Sequence, residues 1–465
     1  MYSMVESFKM ETWIELIIKK LDTPTDTASV VLLRIVFGLL MFWEMVRYYY
    51  NGWIRELFVK PQFHFQYEWF QWLRPLPEQA MYLLFASLAI LSLMIALGLF
   101  YRISTLLFFL GYSYFFLVER AIYNNHYYLI CLLSLMLILA PLHKSWSLDV
   151  LRGAVAHTDK LPALWLWIFR LHMGIVYFYG GIAKFDHDWL NGLATRKLMG
   201  EGNRGTFLEP LMQYEWVPYI YAWSGMLFDL LIPFLMLWKR TRNLAFLSVI
   251  IFHTTNNFVF SIGVFPMLAL MLTLIYYDAG FPRRIVPNKI KIWVSGVYRK
   301  RLLERNQAIS ASHSQTRPLF LAFLGIYFLI QLLIPFRHLT YPGWTTWHEE
   351  GHDFAWRMML RQKTSRMTFN VTHPVTGEQR YAEPEDYLNF LQLKLMGNPR
   401  LLLQFAHHLD SLVQKNAGFD PIITARFEVS LNGREFRYLV DPNVDLSEIP
   451  KFEPNYLWVT PFGEM

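Results

Sequence analysis

The chain has 465 residues, of which 54% are hydrophobic and only 17% are charged. Soluble enzymes usually carry about a quarter charged residues, so this composition excludes an ordinary soluble protein. The formal net charge of +7 therefore indicates basic cytoplasmic loops of a membrane protein rather than nucleic-acid binding. Cys131 is the only cysteine, which excludes an intrachain disulfide and a thiolate metal cluster.

Apolar stretches of a length that crosses a bilayer as a helix recur along the chain. They predict about nine spans, near residues 29–46, 81–99, 104–118, 127–141, 163–184, 217–237, 243–258, 262–277 and 318–336. We expect a tight turn around Asn256 and Asn257 to join the seventh and eighth spans. The predicted fold class is an all-α polytopic membrane bundle followed by a small β-containing extracytoplasmic domain.

The most basic short connections set the orientation of the bundle. They are "KRTR" at 239–242 and the stretch from Arg283 to Arg317, and both are expected on the cytoplasmic side. Residues 1–28 are then a cytoplasmic segment, residues 29–338 the transmembrane domain, and residues 339–465 an extracytoplasmic α+β domain. Within the last domain, "RFEVSLNGREFRYLVDP" and "MTFNVTHPVTGEQRYAEP" each predict a β-hairpin.

This topology brings polar residues that are distant in sequence to one membrane face. The extracytoplasmic ends of the predicted helices carry Asn124, Asn125, His126, Lys184, the Asn256–Asn257 turn and His338. The cytoplasmic ends hold no comparable collection. The sequence therefore predicts a functional site on the extracytoplasmic side.

Lys184, in "YFYGGIAKFDHDW", has two interpretations. A lysine at the end of a span can extend its ammonium to water, here paired with Asp186 or Asp188. A buried lysine, in contrast, favours the neutral amine and can act as a general base. Helical spacing favours the second interpretation, because four residues share one face that glycines open to a flat ligand or a neighbouring helix: Tyr177, Gly180, Gly181 and Lys184.

Two further polar clusters lie among aromatic residues. In "YNNHYYL", Asn124 or Asn125 can cap a helix that begins near His126. In "FHTTNNFVFSIGVF", His253 and Asn256 form the second cluster. Polar groups at membrane depth are costly without partners, which favours a functional role for both clusters.

Two other features favour structure or a different chemistry. Asp229 lies inside an apolar span, and we expect it to form a structural ion pair with Arg34 or Arg170. The stretch "HEEGH" at 348–352 matches the H-E-x-x-H pattern of zinc proteases. Gly351 falls within the turn that would have to be helical, which weakens this alternative.

Four stretches resemble the vitamin K-dependent γ-glutamyl carboxylases and their bacterial relatives, the horizontally transferred transmembrane (HTTM) family: "NNHYYL", "VYFYGGIAKFDHDWLNG", "FHTTNNFVFSIGVF" and "WRMML". The resemblance implies an integral membrane enzyme that oxidises vitamin K hydroquinone, or a related menaquinol, with O₂ to the epoxide. This reaction generates a strong base that removes the γ-proton of glutamate in a peptide or protein substrate, and the carbanion captures CO₂. Quinone and membrane lipid are then the other partners, with no metal and no nucleic acid.

The resemblance also implies roles for individual residues. Lys184 matches the catalytic lysine that deprotonates the hydroquinone, His126 the histidine proposed to assist at the carbanion stage, and His338 a further active-site histidine. Asn125 and Phe265 match positions that line the quinone pocket. With the clusters described above, the expected quinone-binding set is Asn125, Phe265, His253, Asn256, Tyr177 and Gly181.

The chemistry agrees with this assignment, because the γ-proton of glutamate is too weakly acidic for any side chain to remove unaided. A site that excludes water would protect the stronger base that quinol oxidation creates.

The main alternative is a membrane protein that binds or oxidises a quinone without carboxylation. The resemblance implies an inter-region disulfide and a longer C-terminal region in the animal enzymes; this chain has only Cys131 and ends at Met465. Both departures favour a bacterial member, in the inner membrane with a periplasmic active-site face; a eukaryotic one would lie in the endoplasmic reticulum.

Overall fold

The computed structural model describes residue 13 and residues 15–202, 209–260, 263–285 and 318–463. A helix lies at each predicted span position: α1 (Ala28–Tyr50), α2 (Glu78–Leu97), α3 (Tyr101–Leu117), α4 (Asn125–Leu139), α5 (Leu164–Ala183), α6 (Trp216–Leu237), α7 (Arg242–Phe260), α8 (Phe265–Thr273) and α9 (Pro318–Leu333). A 3₁₀ turn, Ile334–Thr340, continues α9. Shorter helices cover Leu148–Leu151, His187–Leu190, Leu193–Gly202, Glu209–Met212, Phe281–Ile285, Thr345–His348 and Asn455–Trp458.

Length and composition divide these helices. Among the described residues, six are long and apolar enough to cross a membrane, namely α1, α2, α5, α6, α7 and α9 with its extension. Helices α4 and α8 are apolar but shorter, and α3 has 17 residues. The protein is therefore a mostly helical membrane protein, and the predicted count of nine spans is not confirmed.

The expected turn at Asn256 and Asn257 is wrong. Both residues lie inside α7, which continues to Phe260. Asn256 accepts a hydrogen bond from the hydroxyl of Tyr221 on α6, so its polar side chain is satisfied within a helix. The chain turns later, where Gly263 has a φ of 74°.

Glycines allow two pairs of helices to pack closely. A Cβ on Gly38 of α1 would lie 2.5 Å from the carbonyl oxygen of Ser92 on α2. A Cβ on Gly181 of α5 would lie 2.8 Å from the backbone nitrogen of Leu230 on α6. Small residues at helix crossings are typical of membrane bundles, where close packing replaces the hydrophobic effect. Gly181 therefore serves helix packing.

At one end of the bundle, two short strands join distant loops: β1 (Pro24–Asp26) pairs antiparallel with β2 (Lys160–Pro162). Arginines satisfy carbonyl groups at the same end. Arg34 donates to the carbonyls of Leu142 and Trp146. Arg170 donates to those of Ile275 and Tyr277.

The C-terminal region forms a separate core at the opposite end. Its four-stranded sheet has the order β4-β3-β5-β6, with β3 (Lys363–Thr372), β4 (Gln379–Ala382), β5 (Ile422–Leu431) and β6 (Arg437–Tyr438). Both predicted hairpins are confirmed, because β3 pairs with β4 and β5 pairs with β6. Helices α10 (Phe390–Leu395) and α11 (Pro399–Ala417) complete the region, and α11 packs against β5.

Loops of the bundle contribute to this second core. Phe65, between α1 and α2, and Ala121, between α3 and α4, are both buried in it. The backbone nitrogen of Gln66 donates to the side chain of Gln404 on α11 at 2.8 Å. The C-terminal region is therefore fixed on the loops that follow α1 and α3, at the end of the bundle that carries the candidate residues.

Candidate active site

Lys184 is buried and directly paired with an acid. It is the C-cap residue of α5 and only 5% exposed. Its Nζ lies 2.5 Å from Oδ2 of Asp229 and 3.2 Å from the carbonyl oxygen of Gly180. The ring of Trp189 lies 5.2 Å from the same nitrogen. The expectation that Asp229 pairs with Arg34 or Arg170 is thus wrong, because both arginines bind backbone carbonyls instead.

The two aspartates after Lys184 are engaged elsewhere. Asp186 accepts hydrogen bonds from the Trp344 indole and from the Thr346 hydroxyl, at 3.1 and 2.8 Å. Asp188 is fully buried and forms a salt bridge with Arg434 at 2.6 Å. The surface interpretation of Lys184, with either aspartate as its partner, therefore does not describe this structure.

Four predicted residues form one aromatic and polar cluster. The ring of His126 stacks on that of Phe265, with centroids 3.6 Å apart. Phe265 also contacts the ring of His253 edge-on at 5.9 Å. Nε2 of His253 lies 2.8 Å from the hydroxyl of Tyr177, which is on α5 two turns before Lys184. Helices α4, α5, α7 and α8 thus converge at this point.

Asn124 and Asn125 hold the start of α4 in place. Asn124 is the N-cap, and its side-chain oxygen accepts a hydrogen bond from the backbone nitrogen of His126. Asn125 accepts from the Tyr123 hydroxyl at 3.1 Å and donates to the carbonyl of Arg357 at 3.3 Å. The capping interpretation is correct for Asn124, and Asn125 connects the bundle to the C-terminal region.

His338 lies apart from this cluster, at a cavity of about 420 Å³. The cavity lies between the end of α5, the turn after α9 and the C-terminal region, and its lining includes Ala183, Asp186, Phe336, His338, Trp344 and Arg357. Nδ1 of His338 is 2.7 Å from the carbonyl oxygen of Pro335. A carbonyl only accepts, so Nδ1 carries the hydrogen and Nε2 is the acceptor of the neutral ring.

One buried segment had no predicted role, although its "WRMML" is one of the stretches that carry the family resemblance. Residues 354–360 leave the C-terminal region and enter the bundle, with left-handed φ angles at Phe354, Trp356 and Met359. The Trp356 ring lies 5.0 Å from that of Tyr128 on α4. The Met358 methyl group lies where a side chain on Gly180 would be. The available signal was the apolar "FAWRMML" within a polar region.

The "HEEGH" stretch does not form the helix that zinc proteases use. The helix Thr345–His348 ends at its first histidine, and Glu349 has a φ of 61°. Glu349 is held by Arg361 at 2.5 Å and Lys363 at 2.7 Å. Burial alone would raise the pKa of Glu349, but these two cations lower it below its usual value. The geometry therefore offers no support for the zinc-protease alternative.

The Lys184–Asp229 pair can hold one proton and accept another. A buried amine and a buried acid share one acidic proton, as an ammonium with a carboxylate or as an amine with a carboxylic acid. In either form one of the two groups can accept a further proton. The cluster of His126, Phe265, His253 and Tyr177 adds aromatic faces and a hydroxyl–imidazole pair, whose hydroxyl belongs to the same helix as Lys184.

Two protein-family models together match most of the chain. Residues 22–280 match the HTTM domain, and residues 316–465 match the vitamin K-dependent gamma-carboxylase, lumenal domain. The first match alone spans more than half of the 465 residues. No solved structure matches the chain. The chain belongs to the vitamin K-dependent gamma-carboxylase family.

Proposed function

We propose that this protein is an integral membrane, quinol-dependent γ-carboxylase that converts peptidyl-glutamate to γ-carboxyglutamate, with coupled epoxidation of vitamin K hydroquinone or a related menaquinol by O₂. The observation that carries the proposal is the buried Lys184–Asp229 pair at the end of α5. The family assignment supplies the substrate class, and the pair supplies a proton acceptor held away from water.

Lys184, with Asp229, is the group that takes the proton from the quinol hydroxyl. An isolated buried ammonium could not do so, because it has no free lone pair. The 2.5 Å contact with Asp229 solves this problem, since the carboxyl group can hold the proton that the amine must lose. Asp229 is thus a positioning and proton-sharing partner rather than a structural charge.

The aromatic cluster fits a quinol by its chemistry. Phe265 and His126 offer flat faces, and the Tyr177–His253 pair offers a donor and an acceptor for a hydroxyl group. His126 and Phe265 stack directly on each other, so a quinol ring would bind beside this stack or separate it. When bound, the quinol supplies through its oxidation the strong base that removes the γ-proton of glutamate.

The C-terminal region closes the site on the side from which a peptide would arrive. Segment 354–360 fills the space between α4 and α5, and Trp344 and Thr346 bind the turn after Lys184. Water exclusion at this position would protect the base from quenching. We place this face outside the cytoplasm, which is periplasmic in a bacterial cell.

The direct test is an assay with purified protein, reduced vitamin K, labelled bicarbonate and a glutamate peptide. We expect label in the peptide together with epoxide, and we expect both to disappear in Lys184→Ala. Epoxide without label in the peptide would favour the alternative, a quinol-oxidising membrane protein without carboxylation. If the wild-type protein forms neither epoxide nor labelled peptide, both functions are contradicted.

A further inference from the structure

A buried cation lines the cavity next to the catalytic lysine. Arg357 is 7% exposed, and its Nε has no hydrogen-bond partner among the described residues. A guanidinium group stays protonated in proteins and carries five donors. A buried donor nitrogen that lacks an acceptor is costly, so the retention of Arg357 at this position needs a compensating role.

Arg357 feels the negative charge of Asp186, but among the described residues no hydrogen bond or salt bridge joins the two side chains. Asp186 also lines the cavity, but its carboxylate already accepts hydrogen bonds from Trp344, Thr346 and the backbone nitrogen of Asp188. The remaining lining is largely apolar or aromatic: Tyr179, Ile182, Ala183, Phe336 and Leu339. The cavity therefore combines a largely apolar wall with a guanidinium group whose Nε is unpaired and which shares the cavity with the Asp186 carboxylate.

The cavity reaches the last turn of α5, next to the Lys184–Asp229 pair. A Cβ on Gly180 would lie 2.8 Å from the Met358 methyl group and 3.5 Å from Oδ2 of Asp229. Met358 follows Arg357 directly, and Ala183, which precedes Lys184, lines the cavity. An anion held by Arg357 would thus be close to the end of α5, which carries Lys184.

We propose that Arg357 binds the γ-carboxylate of the substrate glutamate in this cavity. The inference rests on the proposed function and adds the residue that recognises the substrate. A glutamate side chain is a short aliphatic stem that ends in a carboxylate, which matches an apolar wall facing a guanidinium. A quinol is neutral and does not need this cation.

The same contact would assist the removal of the γ-proton. When the γ C–H bond breaks, the proton goes to the base, and the electron pair left on the carbon spreads onto the carboxylate oxygens. A guanidinium beside these oxygens stabilises that charge, and the stabilisation is larger in a water-poor site. Arg357 therefore contributes to binding and to the acidity of the γ-carbon.

The first experiment measures binding without turnover, in the absence of quinol. A short fluorescent peptide with one glutamate is compared with the same peptide carrying glutamine. We expect the wild-type protein to bind the glutamate peptide at least about tenfold more tightly, the size expected for a charge-assisted hydrogen bond. Arg357→Gln should bind the two peptides alike. Equal binding by the wild-type protein, or a preference kept in Arg357→Gln, would overturn the proposal.

The second experiment uses the carboxylation assay. Arg357→Gln should raise the KM for the peptide at least about tenfold and lower kcat, while the KM for the quinol stays unchanged. Arg357→Lys keeps the charge but loses the planar fork, so its peptide KM should lie between those of the wild type and Arg357→Gln. Arg380→Gln, at an exposed position in β4, is the matched control and should match the wild type.

These outcomes separate the inference from the proposed function. A glutamate preference that depends on Arg357, without label fixation, supports the carboxylate site and contradicts the carboxylase. Label fixation with an unchanged peptide KM in Arg357→Gln supports the carboxylase and contradicts the carboxylate site. Replacing a purely structural arginine would lower the melting temperature, whereas replacing a buried arginine kept for substrate binding should leave it nearly unchanged.

Discussion

At the scale of single residues, Lys184 and Asp229 depend on each other. Replacing Lys184 by Met leaves a buried acid without its partner, which costs about 3–5 kcal/mol of stability. Replacing both, as Lys184→Met with Asp229→Leu, should recover most of this loss, because no buried charge remains. Thermal unfolding in detergent measures both effects.

The double variant also separates folding from chemistry. It should melt close to the wild type and yet produce no epoxide and fix no label, because the proton acceptor is gone. Activity in a well-folded double variant would contradict the role assigned to Lys184. If the double variant is as unstable as Lys184→Met, the lost stability comes from altered packing rather than from the unpaired charge.

Phe265 is the residue whose ring contacts both histidines of the cluster. Phe265→Leu keeps an apolar side chain but removes the stacked face on His126. We expect the KM for the quinol to rise about two- to tenfold, the size of an aromatic pair interaction. Phe258→Leu, at an exposed position on α7, is the matched control and should leave this KM unchanged.

The sequence predicted which candidate residues lie near one another better than it predicted their partners. Lys184 stood out because it follows glycines and aromatics at a span end, a local feature. Its partner Asp229 lies 45 residues away on another helix, and its contact depends on the rotation of α6 against α5. Hydrophobicity alone does not determine that rotation, which explains the incorrect choice of Arg34 or Arg170.

At the scale of elements, apolar runs located the helices because length and hydropathy are local properties. They did not reveal segment 354–360, whose left-handed φ angles fall on Phe354, Trp356 and Met359 rather than on glycines. Such angles are unfavourable for these side chains and persist only where surrounding contacts impose them. The segment that completes the candidate site was therefore the least predictable part of it.

The crossing of α5 and α6 sets the distance between Lys184 and Asp229. Gly181→Ala would place a Cβ 2.8 Å from the backbone nitrogen of Leu230, which cannot move aside like a side chain. We expect a loss of about 1–3 kcal/mol in stability and a loss of epoxidation as the helices separate.

Gly325 is the matched control for this prediction. It lies within α9, and a Cβ there would meet no atom within 4 Å. Gly325→Ala should be neutral or stabilise the protein by up to about 1 kcal/mol through helix propensity. Equal melting temperatures for the two variants would refute the packing role of Gly181. The same comparison tests whether the glycine instead opens space for a flat ligand, since Gly181→Ala would then reduce quinol binding without loss of stability.

At the scale of the whole molecule, the C-terminal region holds the turn after Lys184 from outside the bundle. Asp188 is fully buried, and Nη2 and Nε of Arg434 lie 2.6 and 3.0 Å from its Oδ1. Asn432 donates to the other oxygen at 3.0 Å. The position of Lys184 is thus coupled to the hairpin between β5 and β6.

Asp188→Asn keeps the shape of the side chain but removes its charge. We expect a loss of about 1.5–3 kcal/mol in stability, the range for a hydrogen bond to a charged group. Epoxidation should also fall, because the turn that carries Lys184 loses its anchor. Asp386→Asn, at an exposed position, is the matched control and should match the wild type in both measurements.

A double-mutant cycle with Arg434→Gln tests the coupling directly. If the salt bridge carries the anchor, the double variant should lose little more stability and activity than either single variant, because each substitution breaks the same contact. Additive losses would show that Asp188 and Arg434 act through separate neighbours. In that case the C-terminal region would cover the site without positioning Lys184 through this salt bridge.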